Sequence, residues 1–253
     1  RKAIQINPNL VEAHSNLGNV LKDLNNFKEA ESSYRKAIQL KPDFADAHAS
    51  LGNILSDLGE LKDAELSVRK AIQLNPDFAD AYSNLGTILR NLGRSKEAEL
   101  YTRKAIQLNP EFTKAHLNLG GIFRDLGKLK DAELSTRKAI QLKPDFAKAH
   151  LNLGAILLDL RKLKDAELSV RKAIQLKPDF AEAHSNLGNI LKDLNNFKEA
   201  ESSYRKAIQL NPNLVEAHSN LGTILLDLGK LTEAKTSLLK AIELKSDYAE
   251  AYL

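Results

Sequence analysis

Seven prolines (Pro8, Pro42, Pro76, Pro110, Pro144, Pro178 and Pro212) stand 34 residues apart in this 253-residue chain. A fixed period of this length means that one small supersecondary unit has been copied. Each copy is too small to bury its own apolar face, so neighbouring copies must stack. Thirty-four residues accommodate two helices and two short turns. With Val11 as position 1, full repeats are expected over 11–44, 45–78, 79–112, 113–146, 147–180, 181–214 and 215–248. Residues 1–10 are then the end of a preceding repeat and 249–253 the start of another, all in one array. Ser246 replaces the proline that would close the last repeat.

Within a repeat, positions 3, 4, 7, 8, 10, 11 and 14 carry Ala, His or Tyr, Leu, Gly, Ile or Val, Leu or Phe, and Leu. At 100° per residue they share one side of a helix, and positions 2, 5, 6, 9, 12 and 13 share the other. Position 15 is Gly or Asn in six repeats, residues that tolerate the left-handed conformation ending a helix. Arg161 is the exception and is expected to be strained. A second apolar stripe follows at positions 17, 20, 24, 27 and 28, and proline then stops the second helix. Gly at position 8 and Ala at position 20 are expected where two helix backbones approach closely. No β pattern is present, so the expected class is all-α.

These positions closely resemble the tetratricopeptide repeat (TPR) pattern W-x2-L-G-x2-Y, A-x3-F and P. Leu17-Gly18 through Leu221-Gly222, Ala30 through Ala234 and Ala37 through Ala241 carry the likeness across the whole chain. Position 4 departs from it with His or Tyr in place of Trp, and position 24 varies among Tyr, Val, Thr and Leu. The resemblance implies a right-handed α-solenoid of helix-turn-helix repeats that binds an extended peptide in a concave groove. The alternative is the substrate-recruiting arm of a larger enzyme such as a glycosyltransferase. RNA-reading helical repeats have a period of 35 residues and lack this motif set.

Composition narrows the field. With no Cys, disulfides and thiolate metal sites are excluded. No apolar run is long enough for a transmembrane helix, so no membrane contact is expected. The net charge of +4 comes from 37 basic and 33 acidic residues, mostly interleaved. The Arg-Lys pairs at positions 25–26 read as a solvated outer face near helix C-termini rather than a nucleic-acid surface. No phosphate loop, nucleophile motif or convergent acid–base group occurs, so no enzyme activity and no cofactor are expected. The chain has no Met and starts and stops inside a repeat, which reads as the ordered part of a longer protein. Ala3, Ile4, Ile6, Tyr252 and Leu253 would leave uncovered ends prone to end-to-end self-association. A cytoplasmic location is expected.

All six histidines occupy position 4: His14, His48, His116, His150, His184 and His218. Parallel helices about 8–10 Å apart cannot converge two imidazoles on one zinc at about 2.0–2.1 Å. They read as packing residues whose protonation would oppose folding if they are buried and neutral. The candidate site lies on the polar side of the first helix. Position 6 is Asn16, Asn84, Asn118, Asn152, Asn186 and Asn220, and position 9 adds Asn19, Asn53 and Asn189. Asn is a mediocre helix former, so such a row is expected either from duplication or from amides that bond a peptide backbone. The row is similar to the asparagine ladder in the TPR arm of protein O-GlcNAc transferases. The family's carboxylate clamp, with Lys at position 5, is not reproduced.

The middle of the array differs from its ends. Lys114 and Lys148 replace acidic residues at position 2, Leu117 and Leu151 stand at position 5, and Arg124 and Leu158 at position 12. Gly121 and Ala155 are small, and Arg90 adds charge upstream. The expectation is an apolar depression rimmed by cations, suited to a protein or peptide partner with an apolar anchor and acidic flanks.

Overall fold

The structure, a computed structural model, describes Asn7 and residues 9–245. The expectations resting on Pro8, on Ala3, Ile4 and Ile6, and on Ser246, Tyr252 and Leu253 lie outside the described residues. Among the described residues there are fourteen α-helices and no strand. The first helices of the repeats are α1 (Val11–Asp23), α3 (Ala45–Asp57), α5 (Ala79–Asn91), α7 (Thr113–Asp125), α9 (Ala147–Asp159), α11 (Ala181–Asp193) and α13 (Val215–Asp227). The second helices are α2 (Phe27–Leu40), α4 (Leu61–Leu74), α6 (Ser95–Leu108), α8 (Leu129–Leu142), α10 (Leu163–Leu176), α12 (Phe197–Leu210) and α14 (Leu231–Leu244). The chain divides into two compact units, Arg1–Lys128 with α1–α7 and Leu129–Leu253 with α8–α14. In each unit every helix packs on its sequence neighbours, and first helices of successive repeats also touch.

Two turns set this geometry. Between first and second helix, position 15 takes positive φ in all seven repeats: Asn25, Gly59, Gly93, Gly127, Arg161, Asn195 and Gly229. The next amide then reaches back to close the helix, as Asn26 N does on Leu21 O at 2.9 Å. Arg161 sits at φ 59°, in the conformation expected to strain it.

Between repeats, the first helices lack a side-chain N-cap, because Phe44, Phe78, Phe112, Phe146 and Phe180 occupy that place. The turn is held by other groups. Where position 31 is Asn, its side chain accepts the amide two residues on, as at Asn75 and Asp77, 3.2 Å. Where it is Lys, the ammonium lies over the following phenylalanine, at 5.5 Å for Lys41–Phe44 and 5.0 Å for Lys177–Phe180.

The position-4 imidazoles complete the turn. His48, His116, His150, His184 and His218 bond through Nε2 to the carbonyls of Pro42, Pro110, Pro144, Pro178 and Pro212 at 2.8–3.0 Å. A carbonyl only accepts, so Nε2 donates. The expectation of buried imidazoles is corrected here. The rings are half-buried except His218, at 9% exposure.

The core repeats with the sequence. Ala30 and its equivalents at position 20, and Ala37 and its equivalents at position 27, are fully buried. A Cβ added at Gly52, Gly86 or Gly154 would lie 3.1–3.3 Å from the carbonyl of Ala64, Ala98 or Ala166, so the two backbones do approach closely there. The same glycines make room for the position-24 side chain. A Cβ at Gly18 would strike Tyr34, at Gly52 Val68, at Gly86 Thr102 and at Gly188 Tyr204. Position 24 can vary because the residue opposite it has no side chain.

Candidate functional site: the polar face of the first helices

The asparagine row is not one uniform ladder. Tyr34 and Tyr204 are fully buried, and a buried hydroxyl needs a partner. Each donates to the position-9 asparagine of its own repeat, Asn19 and Asn189, at 2.7 Å. Burial raises both phenol pKa values. Asn220 Nδ2 donates to Asn189 Oδ1 at 2.9 Å, and Asn118 Nδ2 donates to Ser83 Oγ and Thr87 Oγ1 at 3.2 and 2.8 Å. These four asparagines serve the protein's own packing. Asn16, Asn53, Asn84, Asn152 and Asn186 have no side-chain partner among the described residues. Asn53 is released because the residue opposite it is Val68, which has no hydroxyl to satisfy.

The middle repeats also differ from expectation. Leu117 and Leu151 are 5% and 8% exposed, so they belong to the core and offer little surface to an apolar anchor. Arg90 is not a free rim charge. Its Nε and Nη2 hold both carboxylate oxygens of Asp125, Nη2 to Oδ1 at 3.0 Å. Its guanidinium occupies the space over Gly121, where an added Cβ would meet the Arg90 carbon Cζ at 2.8 Å. The depression expected at Gly121 is therefore filled by an arginine from the first helix of the preceding repeat, two helices back, a contact no local spacing could announce. Leu158 is half-buried; Arg124 is exposed, with its charge engaged. Lys114 and Lys148 are exposed and have no partner among the described residues.

What the first unit does offer is a polar hollow of about 230 Å³. Lys22 of α1, Asn53, Ser56 and Asp57 of α3, Asn84 and Thr87 of α5 and Lys114 of α7 line it. Position 12 of α1, positions 9, 12 and 13 of α3, positions 6 and 9 of α5 and position 2 of α7 meet there because first helices of successive repeats lie side by side. Asn53, Asn84 and Lys114 were legible from the sequence; Lys22, Ser56, Asp57 and Thr87 were not singled out. Their signal was present, since positions 9, 12 and 13 fall on the same polar side.

The opposite, outer face is chemically distinct. Arg35, Arg69, Arg103, Arg137, Arg171 and Arg205 each pair with a glutamate four residues earlier, at 2.7–3.0 Å. These arginines are neutralised locally, whereas Lys22 and Lys114 in the hollow have no carboxylate partner among the described residues. Among the described residues no His/Cys/Asp/Glu group is arranged to hold a metal, and no helix is long and apolar enough to cross a membrane.

Family profiles described as tetratricopeptide repeats match 79–112, 117–181, 181–214 and 203–236, and one described as TPR repeat matches 18–59 and 52–93. Together they span 18–112 and 117–236. The chain belongs to the tetratricopeptide repeat family. No curated protein matches this TPR chain by sequence. Among solved structures it is similar to a chain of the APC/C hetero-tetramer Cut9–Hcn1, with TM-score 0.83 and 17% identity over 99% of this chain and 49% of that one. The TPR chain thus spans about half the length of that relative. PilF of Pseudomonas aeruginosa gives TM-score 0.71 and 20% identity over 82% and 95% of the two chains. At these identities the likeness concerns the fold, an α-solenoid. YrrB, described as a TPR protein with an unusual peptide-binding site, gives TM-score 0.53 and 28% identity over 72% and 94%.

Proposed function

We propose that this TPR scaffold binds extended polypeptide segments bearing acidic residues along the polar face of its first helices. The observation that carries the reading is the hollow in the first unit, where two lysines with no carboxylate partner among the described residues stand beside the amides of Asn53 and Asn84, likewise without a partner there. An amide offers both a donor and an acceptor, so it can bond a peptide backbone whatever its side chains. Lys22 and Lys114 add attraction for carboxylates on the segment. The likeness to YrrB and the resemblance to the O-GlcNAc transferase ladder support the same reading. The single array of seven full repeats over 11–248 is proposed as the binding unit, with Asn152, Asn186 and Lys148 offering the same chemistry in the second compact unit. The apolar anchor expected around Leu117 and Leu151 is dropped because those side chains are buried.

A peptide array of random sequence, probed with the protein, tests this. The wild type should retain peptides enriched in Asp and Glu. Lys22→Glu combined with Lys114→Glu should weaken them at least about tenfold, or ~1.4 kcal/mol. Lys62→Glu with Lys130→Glu, on the outer helices, should leave retention unchanged. Equal losses from both pairs would remove the proposal.

A further inference from the structure

A second hollow, of about 430 Å³, lies in the second unit on the outer side, lined by Arg205 and Ile208 of α12, His218 and Leu221 of α13, and Thr236 and Ser237 of α14. The first unit shows what such a slot accepts. Two repeats of this chain can be superposed position by position: Arg205 corresponds to Arg69, His218 to Tyr82 and Ser237 to Tyr101. In the earlier repeat the slot is filled. The Tyr101 ring stacks on Tyr82 with centroids 6.3 Å apart, and Arg69 lies 5.1 Å from its centroid. Arg69 Nη1 donates to the Tyr101 hydroxyl at 2.7 Å.

The arginine is set in the same way in both places. Arg69 Nε and Nη2 are held by Glu65 and Nη2 also faces Glu97, which leaves Nη1 for the phenol. Arg205 Nε and Nη2 are held by Glu201, and Nη2 also by Glu233. Its Nη1 has no acceptor among the described residues. On the other wall, His218 is fixed through its bond to the Pro212 carbonyl and presents a flat ring where Tyr82 stands in the filled slot. Ser237 and Thr236 replace Tyr101 and Leu100, so the space the aromatic ring takes is left open.

We propose that this slot is a receptor for a tyrosine side chain of a partner polypeptide, its ring between His218 and Arg205 and its hydroxyl accepting from Arg205 Nη1. Aromatic stacking and a cation beside the ring favour a flat apolar group, and the waiting donor favours a phenol over a phenyl. The slot is separate from the groove proposed above and does not depend on it.

The test uses N-acetyl-tyrosinamide and N-acetyl-phenylalaninamide as probes, followed by NMR on the whole chain. The tyrosine probe should bind at about millimolar affinity. It should shift the Arg205, His218 and Leu221 signals and bind more tightly than the phenylalanine probe. Ser237→Tyr supplies the ring internally, as Tyr101 does, so it should fold, raise the melting temperature and weaken the tyrosine probe at least about tenfold. The Lys22→Glu, Lys114→Glu variant should bind the probe normally. Probe binding undiminished in Ser237→Tyr, shifts confined to other residues, or equal affinity for the two probes would each overturn the proposal. If Ser237→Tyr does not fold, Ser237→Leu, which blocks the slot with a smaller apolar group, must weaken the probe in its place.

Discussion

Position 24 shows how one residue in a repeated frame can be well or poorly served. Opposite a glycine, Val68 and Val170 fill the space with methyl groups, and Tyr34 and Tyr204 extend to an asparagine. Thr102 and Thr136 do neither. Both are fully buried, and their hydroxyls have no hydrogen-bond partner among the described residues. A buried hydroxyl without a partner costs ~1–3 kcal/mol of desolvation, while the isosteric valine costs none. Thr102→Val should therefore stabilise the protein by about 1 kcal/mol, read as a higher urea midpoint at unchanged slope. A lower midpoint would mean the hydroxyl does find a partner. The residues of this core were legible from their period, but the pairing of positions 8 and 24 was not. It joins residues 16 apart on two helices, and only the crossing of those helices brings them into contact.

Between second helices of neighbouring repeats, charge does what apolar contact does inside. Glu99 is held by Lys128 at 2.8 Å and Arg103 at 3.0 Å, Glu133 by Lys162 and Arg137, and Glu201 by Lys230 and Arg205. In each case the hydrogen bond from the next repeat's lysine is the largest cause that holds the carboxyl below its ordinary 4.5. The folded state thus binds protons more weakly than the unfolded one. The stabilisation is complete above pH 4.5 and is lost as pH falls through the lowered values. Replacing Glu99, Glu133 and Glu201 together by Gln should lower the melting temperature at pH 7 and flatten its decline from pH 5 to pH 3. An unchanged decline would place the acid sensitivity elsewhere. The sequence showed the arginines on a solvated face. It did not show the lysine of the following repeat, 29 residues away, as the carboxylate's second partner.

At the scale of the molecule, each compact unit is a linear stack in which a helix touches its neighbours and little else. Stability in such a stack is a sum of local terms and nearest-neighbour terms. Leu85, fully buried in α5, is a place to test this. Leu85→Ala should cost about 2–5 kcal/mol locally. By hydrogen exchange, protection should fall most in α4–α7 and least in α1 of the same unit. A uniform loss across the unit would show an all-or-none core instead.

The sequence by itself determined the repeat, the helix pairs, the left-handed residue between them and the polar side of the first helices. These follow from local rules: the 3.6-residue period, the tolerance of Gly and Asn for positive φ, and the missing N–H of proline. The tertiary structure alone decided which asparagines are available. Asn19, Asn118, Asn189 and Asn220 share the pattern of Asn16 and Asn84 but are spent on buried tyrosines, hydroxyls or one another. It also decided that Arg90 covers Gly121 and that Lys22 and Lys114 meet across one hollow. A hydrogen bond or an ion pair depends on an approach of about 3 Å between groups far apart in the chain. Periodicity fixes which side of a helix a residue faces, and only packing fixes what it meets there.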